Sequence, residues 1–204
     1  MNSKILIIAN GPSVLNRNYG DEIDKFEEVA RINNYKTKDF QKFTGSKTTV
    51  WFNGGNQNLK KNILPPKKVI VFIPYEILLR KEKKIKSQLS KKLDMIPNDF
   101  EIVKKEKMKF YEDFSNIKRP TTGFNSIMWS IENYEQVIIH GFDFFQDGKE
   151  HYFDSKLVKT LSNFKVFNKA GKHDNLGEKK FINDLIIKNK VINLKDFLKD
   201  RKWM

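Results

Sequence analysis

An apolar run close to the start of the chain limits the possible folds more than any other feature. Ile5–Ala9 has no polar side chain and passes directly into Asn10-Gly11-Pro12-Ser13, a tetrapeptide that favours a turn. A strand without polar alternation is buried on both faces, which is typical of parallel sheets covered by helices. The run therefore predicts a buried strand, Lys4–Ala9, that ends in a tight turn.

Strand-sized segments alternate with helical patterns along the rest of the 204 residues. Further strands are predicted at Glu28–Ile32, Thr48–Phe52, Lys68–Ile73, Gln136–His140 and Lys190–Leu194, and helices over about Tyr75–Leu93, Gly123–Glu132 and Leu176–Lys188. This alternation predicts one α/β domain over residues 1–204, Rossmann-like, with a mostly parallel sheet flanked by helices. A lysine-rich helical insertion is expected at about residues 75–115.

Small polar residues follow the apolar ends of several predicted strands. They are Asn10, Asn33, Asn53 and Gly141. Because the ligand crevice of an open parallel sheet lies beyond the carboxyl ends of its strands, these residues should converge on one cleft. Ser13 adds a hydroxyl, but its turn matches neither the GxGxxG dinucleotide fingerprint nor a P-loop.

The segment Arg119-Pro120-Thr121-Thr122-Gly123 opens a predicted helix. Either threonine can cap that helix, and a helix N-terminus with free amides suits a phosphate. An ordinary helix cap explains the same residues, so both interpretations stay open at this point.

The chain has three histidines with different surroundings. His140 falls in an apolar strand and fits a core or strand-end position. His151 follows the strand end Gly141-Phe142-Asp143 closely enough to reach the cleft. His173 lies in a polar loop before a helix, where a histidine is a plausible general base.

Composition excludes several classes of protein. Hydrophobic residues make up 39% and charged residues 31%, which indicates a globular chain rather than a disordered one. The absence of cysteine excludes disulfides, thiolate nucleophiles and thiolate metal sites. No apolar run approaches the ~20 residues of a membrane span, and HExxH and GxSxG are absent. We expect neither a metal nor a cofactor.

Positive charge is concentrated in one region. The chain carries 39 Lys and Arg against 25 Asp and Glu, which gives a net charge of +14. Residues 60–109 alone contain 15 of the basic residues and 6 of the acidic ones. Such a bias favours polyanions or anionic surfaces, although lysine is also common in AT-rich genomes. The stretch Arg80–Lys92 is therefore either a solvated helix face or a surface for an acidic acceptor or anionic lipid.

Taken in order, these segments resemble the four sialylmotifs of eukaryotic-type sialyltransferases. The large motif is matched by Asn10–Ser13, Gly20–Phe26, Arg31–Asn33 and Gly45–Thr49, the small motif by Pro120–Phe124 and Val137–Phe142, the third by His151–Asp154, and the very small motif by His173 and Glu178. The same segments are similar to bacterial lipooligosaccharide sialyltransferases, which share Asn-Gly-Pro-Ser and an Arg-x-Thr-Ser/Thr-Gly element.

The resemblance implies a variant GT-A fold and a metal-independent, inverting transferase that uses CMP-sialic acid. It implies His173 as the general base, His151 as the group that stabilises the departing phosphate, and Arg119 near the donor. The implied donor-binding residues are Asn10, Gly11, Ser13, Asn33, Asn53, Thr121, Thr122, Gly123, Gly141, Phe142 and Asp143. The implied partners are a CMP-sugar and a glycan or glycolipid acceptor; an oligomer is possible and no nucleic acid is expected.

The chain departs from the family pattern at several points. It lacks the cysteines that join the large and small motifs in eukaryotic enzymes, and it has Phe145 where the bacterial enzymes place a phosphate-binding tyrosine. It also begins without a signal anchor, which predicts a cytoplasmic protein, with peripheral association at the inner face of the membrane as a second expectation.

Three alternatives remain beside a sialyltransferase. The first is a transferase that uses another CMP-sugar such as CMP-Kdo. The second is a basic nucleic-acid-binding protein, favoured by the net charge of +14. The third is another Rossmann-like nucleotide enzyme such as a dehydrogenase, against which the missing GxGxxG argues.

Overall fold

Seven parallel strands form one sheet within residues 4–56, 59, 65–144, 151–154 and 174–200, which are the residues that the computed structural model describes. The strands are β1 Lys4–Ile8, β2 Glu28–Ile32, β3 Val50–Asn53, β4 Lys68–Val71, β5 Glu101–Ile102, β6 Gln136–His140 and β7 Val191–Asn193. Their order is β5-β4-β3-β2-β1-β6-β7, and each neighbouring pair is parallel. The predicted parallel α/β fold is confirmed.

Helices cover both faces of the sheet. They are α1 Gly20–Asp24, α2 Gln41–Thr44, α3 Tyr75–Leu93, α4 Lys105–Ser115, α5 Thr122–Asn133, α6 Asn175–Ile187 and α7 Leu194–Asp200, with a 3-10 helix at Pro12–Asn16. No helix in the described part of the chain is both long and apolar enough to cross a bilayer.

Strand β1 separates two hydrophobic cores, which explains why its sequence is apolar throughout. Ile5 and Ile7 face the core that contains Phe124 of α5 and Ile182 of α6. Leu6 and Ile8 face the opposite core, beneath the 3-10 helix, α1 and α7. Full burial of such a side chain contributes about 1.5–3 kcal/mol, so this run stabilises both layers.

The connections reverse direction next to β1. From β1 the strand order proceeds through β2, β3 and β4 on one side and through β6 and β7 on the other. Such a reversal leaves a crevice beyond the carboxyl ends of the two strands that flank it, here β1 and β6. The fold therefore places the ends of these strands, Asn10 and Gly141 included, at one opening.

The insertion at residues 75–115 is helical as expected, apart from one short strand. α3 and α4 are joined by a segment that contains β5, which pairs with β4 over two residues. Two residues are too few to show the alternation by which a strand is recognised in sequence. α3 turns Leu78, Ile85 and Leu89 into the core and leaves Arg80, Lys84 and Lys91 exposed.

Candidate active site

A cavity of about 740 Å³ lies at the reversal point between β1 and β6. Its wall comprises residues that follow β1, β2 and β6, the first turn of α5, one side of α6, and His151. Small-molecule sites commonly have volumes of 300–1,000 Å³ and occur at such reversal points. The opening is therefore the candidate active site.

Most of the residues predicted from the sequence line this cavity. They are Asn10, Gly11, Ser13, Asn33, Thr121, Thr122, Gly123, Gly141, Phe142, Asp143 and His151. Asn53 and Arg119 are described but do not line it. His173 and Phe145 lie outside the described residues. The roles of these residues as ligand contacts stay predictions.

The amide of Asn10 is oriented by the end of β2. Its Nδ2 donates to the carbonyl oxygens of Ile32 and Asn34, each at 2.9 Å. Both amide hydrogens are thereby used, and the group that remains for a ligand is the Oδ1 acceptor. Asn10 thus suits a ligand hydroxyl that donates a hydrogen bond.

In Asn33 the protein uses the side-chain oxygen, whereas in Asn10 it uses the side-chain nitrogen. Its backbone has a φ of +50°, and its Oδ1 accepts from the Gly54 amide at 2.9 Å. Its carbonyl oxygen also accepts from Trp51 Nε1 at 2.7 Å. Within the described residues its Nδ2 has no protein acceptor, so Asn33 presents a donor to the cavity.

Asp143 holds the Asn10–Ser13 turn against the end of β6. One carboxylate oxygen accepts from the Ser13 amide at 2.9 Å and the other accepts from the Ser13 hydroxyl. The Gly11 amide donates to the Gly141 carbonyl at 3.0 Å, which brings the two turns together. The Asp143 carboxylate thus has protein partners on both oxygens, although the sequence suggested it as a ligand contact.

The first turn of α5 is occupied in part by a carboxylate of the protein. Thr121 Oγ1 caps the helix by accepting from the Phe124 amide at 3.1 Å. Glu178 of α6 accepts from the Thr121 amide at 2.6 Å and from its hydroxyl at 2.7 Å. The amides of Thr122 and Gly123 have no protein acceptor among the described residues, and they are the donors that an anion would meet.

Glu178 is a buried acid at the wall of the cavity. Its side chain is 2% exposed, and burial raises its pKa to about 7, although the hydrogen bonds from Thr121 oppose the shift. The native state therefore binds a proton more tightly than the unfolded chain does. The resulting stability is present below the ordinary glutamate pKa and is lost as the pH rises through 7.

We expect this loss to appear in thermal unfolding. The pKa shift of Glu178 corresponds to up to about 3 kcal/mol in the free energy of unfolding. The melting temperature of the wild type should therefore decrease as the pH is raised from about 5 to about 8. Glu178→Gln should remove most of that slope, whereas Glu27→Gln, on the exposed surface, should keep it. An equal slope in all three proteins would contradict the assignment.

His151 is held at the cavity by the residue that follows it. The Tyr152 amide donates to the Asn10 carbonyl at 3.0 Å, and the Tyr152 hydroxyl donates to the Lys36 carbonyl and accepts from the Lys36 amide. The Tyr152 ring packs edge-on against Phe40. Burial lowers the pKa of His151, although a hydrogen bond to the Asn10 backbone and the charge of Asp154 oppose the shift, so its imidazole is neutral at pH 7.

Arg119 and Asn53 take part in contacts beside the cavity. Arg119 Nε pairs with a Glu76 oxygen at 2.8 Å, which links the entry of α5 to the first turn of α3. Asn53 is fully buried, and its Oδ1 accepts from the Gly55 amide at 3.2 Å. The Arg119–Glu76 contact could not be inferred from spacing, because Glu76 lies 43 residues away on a helix, whereas the Asn53–Gly55 contact is local to the turn after β3.

Residues of α6 were missed as cavity residues. Asn175, Lys179 and Asn183 recur every four positions, so they share one helix face, and all three line the cavity with Glu178. That spacing was the available signal in the sequence. No cluster of three metal-ligating side chains occurs within the described residues.

Most of the chain matches one protein family, and a short stretch of it matches a plant enzyme. The family is described as Glycosyltransferase family 29 (sialyltransferase), and the match covers residues 4–190. A stretch of 50 residues is 48% identical to the beta-1,6-galactosyltransferase GALT29A of Arabidopsis thaliana. That match covers 24% of this chain and only 13% of the plant protein.

Solved structures of sialyltransferases share the fold. One mammalian sialyltransferase matches with a TM-score of 0.72 at 19% identity, over 95% of this chain and 69% of the other. A mammalian sialyltransferase in complex with Gal-beta-1-3GalNAc-ortho-nitrophenol gives 0.69 at 20% identity, over 94% and 69%. CstII from Campylobacter jejuni, in complex with the substrate analogue CMP-3FNeuAc, gives 0.59 at 20% identity, over 94% and 81%.

Proposed function

This chain belongs to glycosyltransferase family 29, the sialyltransferase family, and we propose that it transfers sialic acid from CMP-sialic acid to a glycan hydroxyl. As a glycosyltransferase of this family it uses a nucleotide-sugar donor and a glycan acceptor. The observation that carries the CMP-sugar proposal is the cavity at the ends of β1 and β6, whose free groups suit a nucleoside monophosphate.

The free groups of the cavity divide between the two halves of such a donor. Asn10 offers an acceptor that fits a ribose hydroxyl, and Asn33 offers a donor that fits an oxygen of the nucleotide or sugar. The amides of Thr122 and Gly123, at the positive end of α5, fit the phosphate. CMP carries one phosphate, and neutral donors with a helix terminus can stabilise that charge without a metal.

The proposed reaction is a single displacement with inversion at the anomeric carbon. His173 takes the proton of the acceptor hydroxyl, and the hydroxyl oxygen forms the new glycosidic bond to the anomeric carbon. The bond from the anomeric carbon to the phosphate oxygen breaks, and CMP leaves with the electron pair. His151, at the wall of the cavity, stabilises the departing phosphate.

Two other donors belong to the same proposal as alternatives. CMP-Kdo offers the same nucleotide and also carries a carboxylate, so the contacts above fit it equally. A galactosyl donor is favoured by one observation, the 50-residue stretch shared with the Arabidopsis galactosyltransferase.

Nucleotide binding tests the proposal without an acceptor. Calorimetry should show that CMP binds, and that Asn33→Ala weakens this binding about tenfold through loss of the Nδ2 hydrogen bond. Asn98→Ala, at an exposed position between α3 and β5, is the matched control and should bind CMP as the wild type does. A folded wild type with no affinity for CMP would overturn the proposal.

We also propose that the exposed face of α3 binds an anionic membrane surface. Arg80, Lys84 and Lys91 are exposed on one side of the helix, and each cation near an anionic surface contributes about 1 kcal/mol. Replacing these three by glutamine should reduce sedimentation with phosphatidylserine vesicles at least tenfold. Glutamine at Lys38, Lys42 and Lys195, also exposed, is the charge-matched control. Equal loss in both triple variants would contradict a role for α3.

A further inference from the structure

A turn between β3 and β4 connects the basic helix α3 to the candidate active site. The ammonium group of Lys92, in the last turn of α3, donates to the Gly55 carbonyl at 2.6 Å. Lys92 is half-buried, and this burial lowers the pKa of its ammonium group. Its neighbours on the exposed face of the same helix, such as Lys91, point to solvent instead.

Gly55 lies close to side chains of α3 and of the segment that follows β4. It has a φ of +60°, and a Cβ at this position would lie 2.9 Å from Leu89 Cδ2 and 3.0 Å from Ile73 Cδ1. The turn is therefore packed against the buried side of α3 and the residues that follow β4. Its direction as it leaves β3 is set by these contacts together with the Lys92 hydrogen bond.

The preceding residue, Gly54, connects this turn to two residues of the cavity wall. Its amide donates to Asn33 Oδ1 at 2.9 Å, and this bond leaves Asn33 Nδ2 as the donor that faces a ligand. A Cβ on Gly54 would lie 2.5 Å from Thr122 Oγ1, so the backbone of the turn lies directly against the first turn of α5. Both Asn33 and Thr122 line the cavity.

We propose that Lys92 is a positioning residue for donor binding: through the Gly54–Gly55 turn it fixes the amide of Asn33 and the start of α5. The inference rests on the proposed donor roles of Asn33 and Thr122. Lys92 does not line the cavity, so it acts on the ligand only through the turn.

Affinity for CMP is the first test. Lys92→Met keeps the length of the side chain and removes the donor, and it should weaken CMP binding about tenfold in calorimetry. Lys91→Met removes the same charge from the adjacent position and should bind CMP as the wild type does. Lys92→Arg restores a cationic donor and should recover most of the affinity. Equal affinity in Lys92→Met and Lys91→Met would overturn the proposal.

Amide hydrogen exchange tests the positioning without any ligand. In the full-length protein, the Gly54 amide should exchange faster in Lys92→Met than in Lys91→Met, because its bond to Asn33 is no longer held in place. Equal exchange would overturn the inference even if CMP binds. If the wild type fails to bind CMP, the proposed function is wrong, and faster exchange in Lys92→Met would still support the role of Lys92 in placing the turn.

Discussion

Replacing His173 by alanine should lower the rate of sugar transfer by about 10²–10⁴-fold while CMP binding stays unchanged. The proposed role of this histidine is to remove the proton of the acceptor hydroxyl, a step that contributes to the transition state and not to the binding of the nucleotide. The measurement is the initial rate of CMP-sialic acid turnover with saturating acceptor, paired with calorimetry of CMP.

Lys172→Ala is the matched control for this variant, since it truncates the neighbouring side chain in the same polar segment. It should retain the wild-type rate. A His173→Ala protein that transfers sugar at the wild-type rate would remove His173 from the mechanism. Loss of CMP binding together with activity would instead assign it to the donor site.

Gly11→Ala should abolish CMP binding by disrupting the turn that carries Asn10. A Cβ at Gly11 would lie 2.6 Å from the Gly141 carbonyl oxygen and would also collide with the Asp143 carboxyl group. The Gly141 backbone, directly after β6, cannot give way cheaply, so either the turn moves out of the cavity or the protein loses several kcal/mol of stability. Calorimetry of CMP and thermal unfolding together measure both effects.

A second substitution separates the two collisions. Adding Asp143→Ala to Gly11→Ala removes the clash with the carboxyl group but leaves the Gly141 carbonyl in place. The double variant should therefore regain little CMP affinity. Wild-type affinity in Gly11→Ala alone would show that the turn does not set the geometry of the donor site.

The sheet could be predicted because its central strands are runs of apolar residues, and such runs are typical of strands that are buried on both faces. The middle residues of β1 and β6 are apolar and buried, and a turn with a small residue begins within two residues of the end of each strand. β5 could not be predicted, since it has two residues, Glu101 and Ile102, and exists through its pairing with β4. That residues 1–204 form a single domain stays a prediction.

The site could be predicted to the extent that it follows from strand ends. Asn10, Asn33 and Gly141 lie at the cavity because parallel strands end at the same edge of a sheet. The partners of individual side chains could not be predicted from the sequence. Asp143 binds Ser13, and Arg119 pairs with Glu76, a residue 43 positions away on another helix. Such contacts depend on how helices pack, which periodicity does not encode.

The most direct test of the central claim is CMP release from CMP-sialic acid in the presence of EDTA and a glycan acceptor. We expect the wild type to release CMP, His173→Ala to release none, and the chelator to have no effect. CMP-Kdo and a nucleotide-linked galactose, assayed in parallel, identify the donor. Turnover of the galactose donor alone, or release that requires a divalent cation, would contradict a metal-independent CMP-sugar transferase.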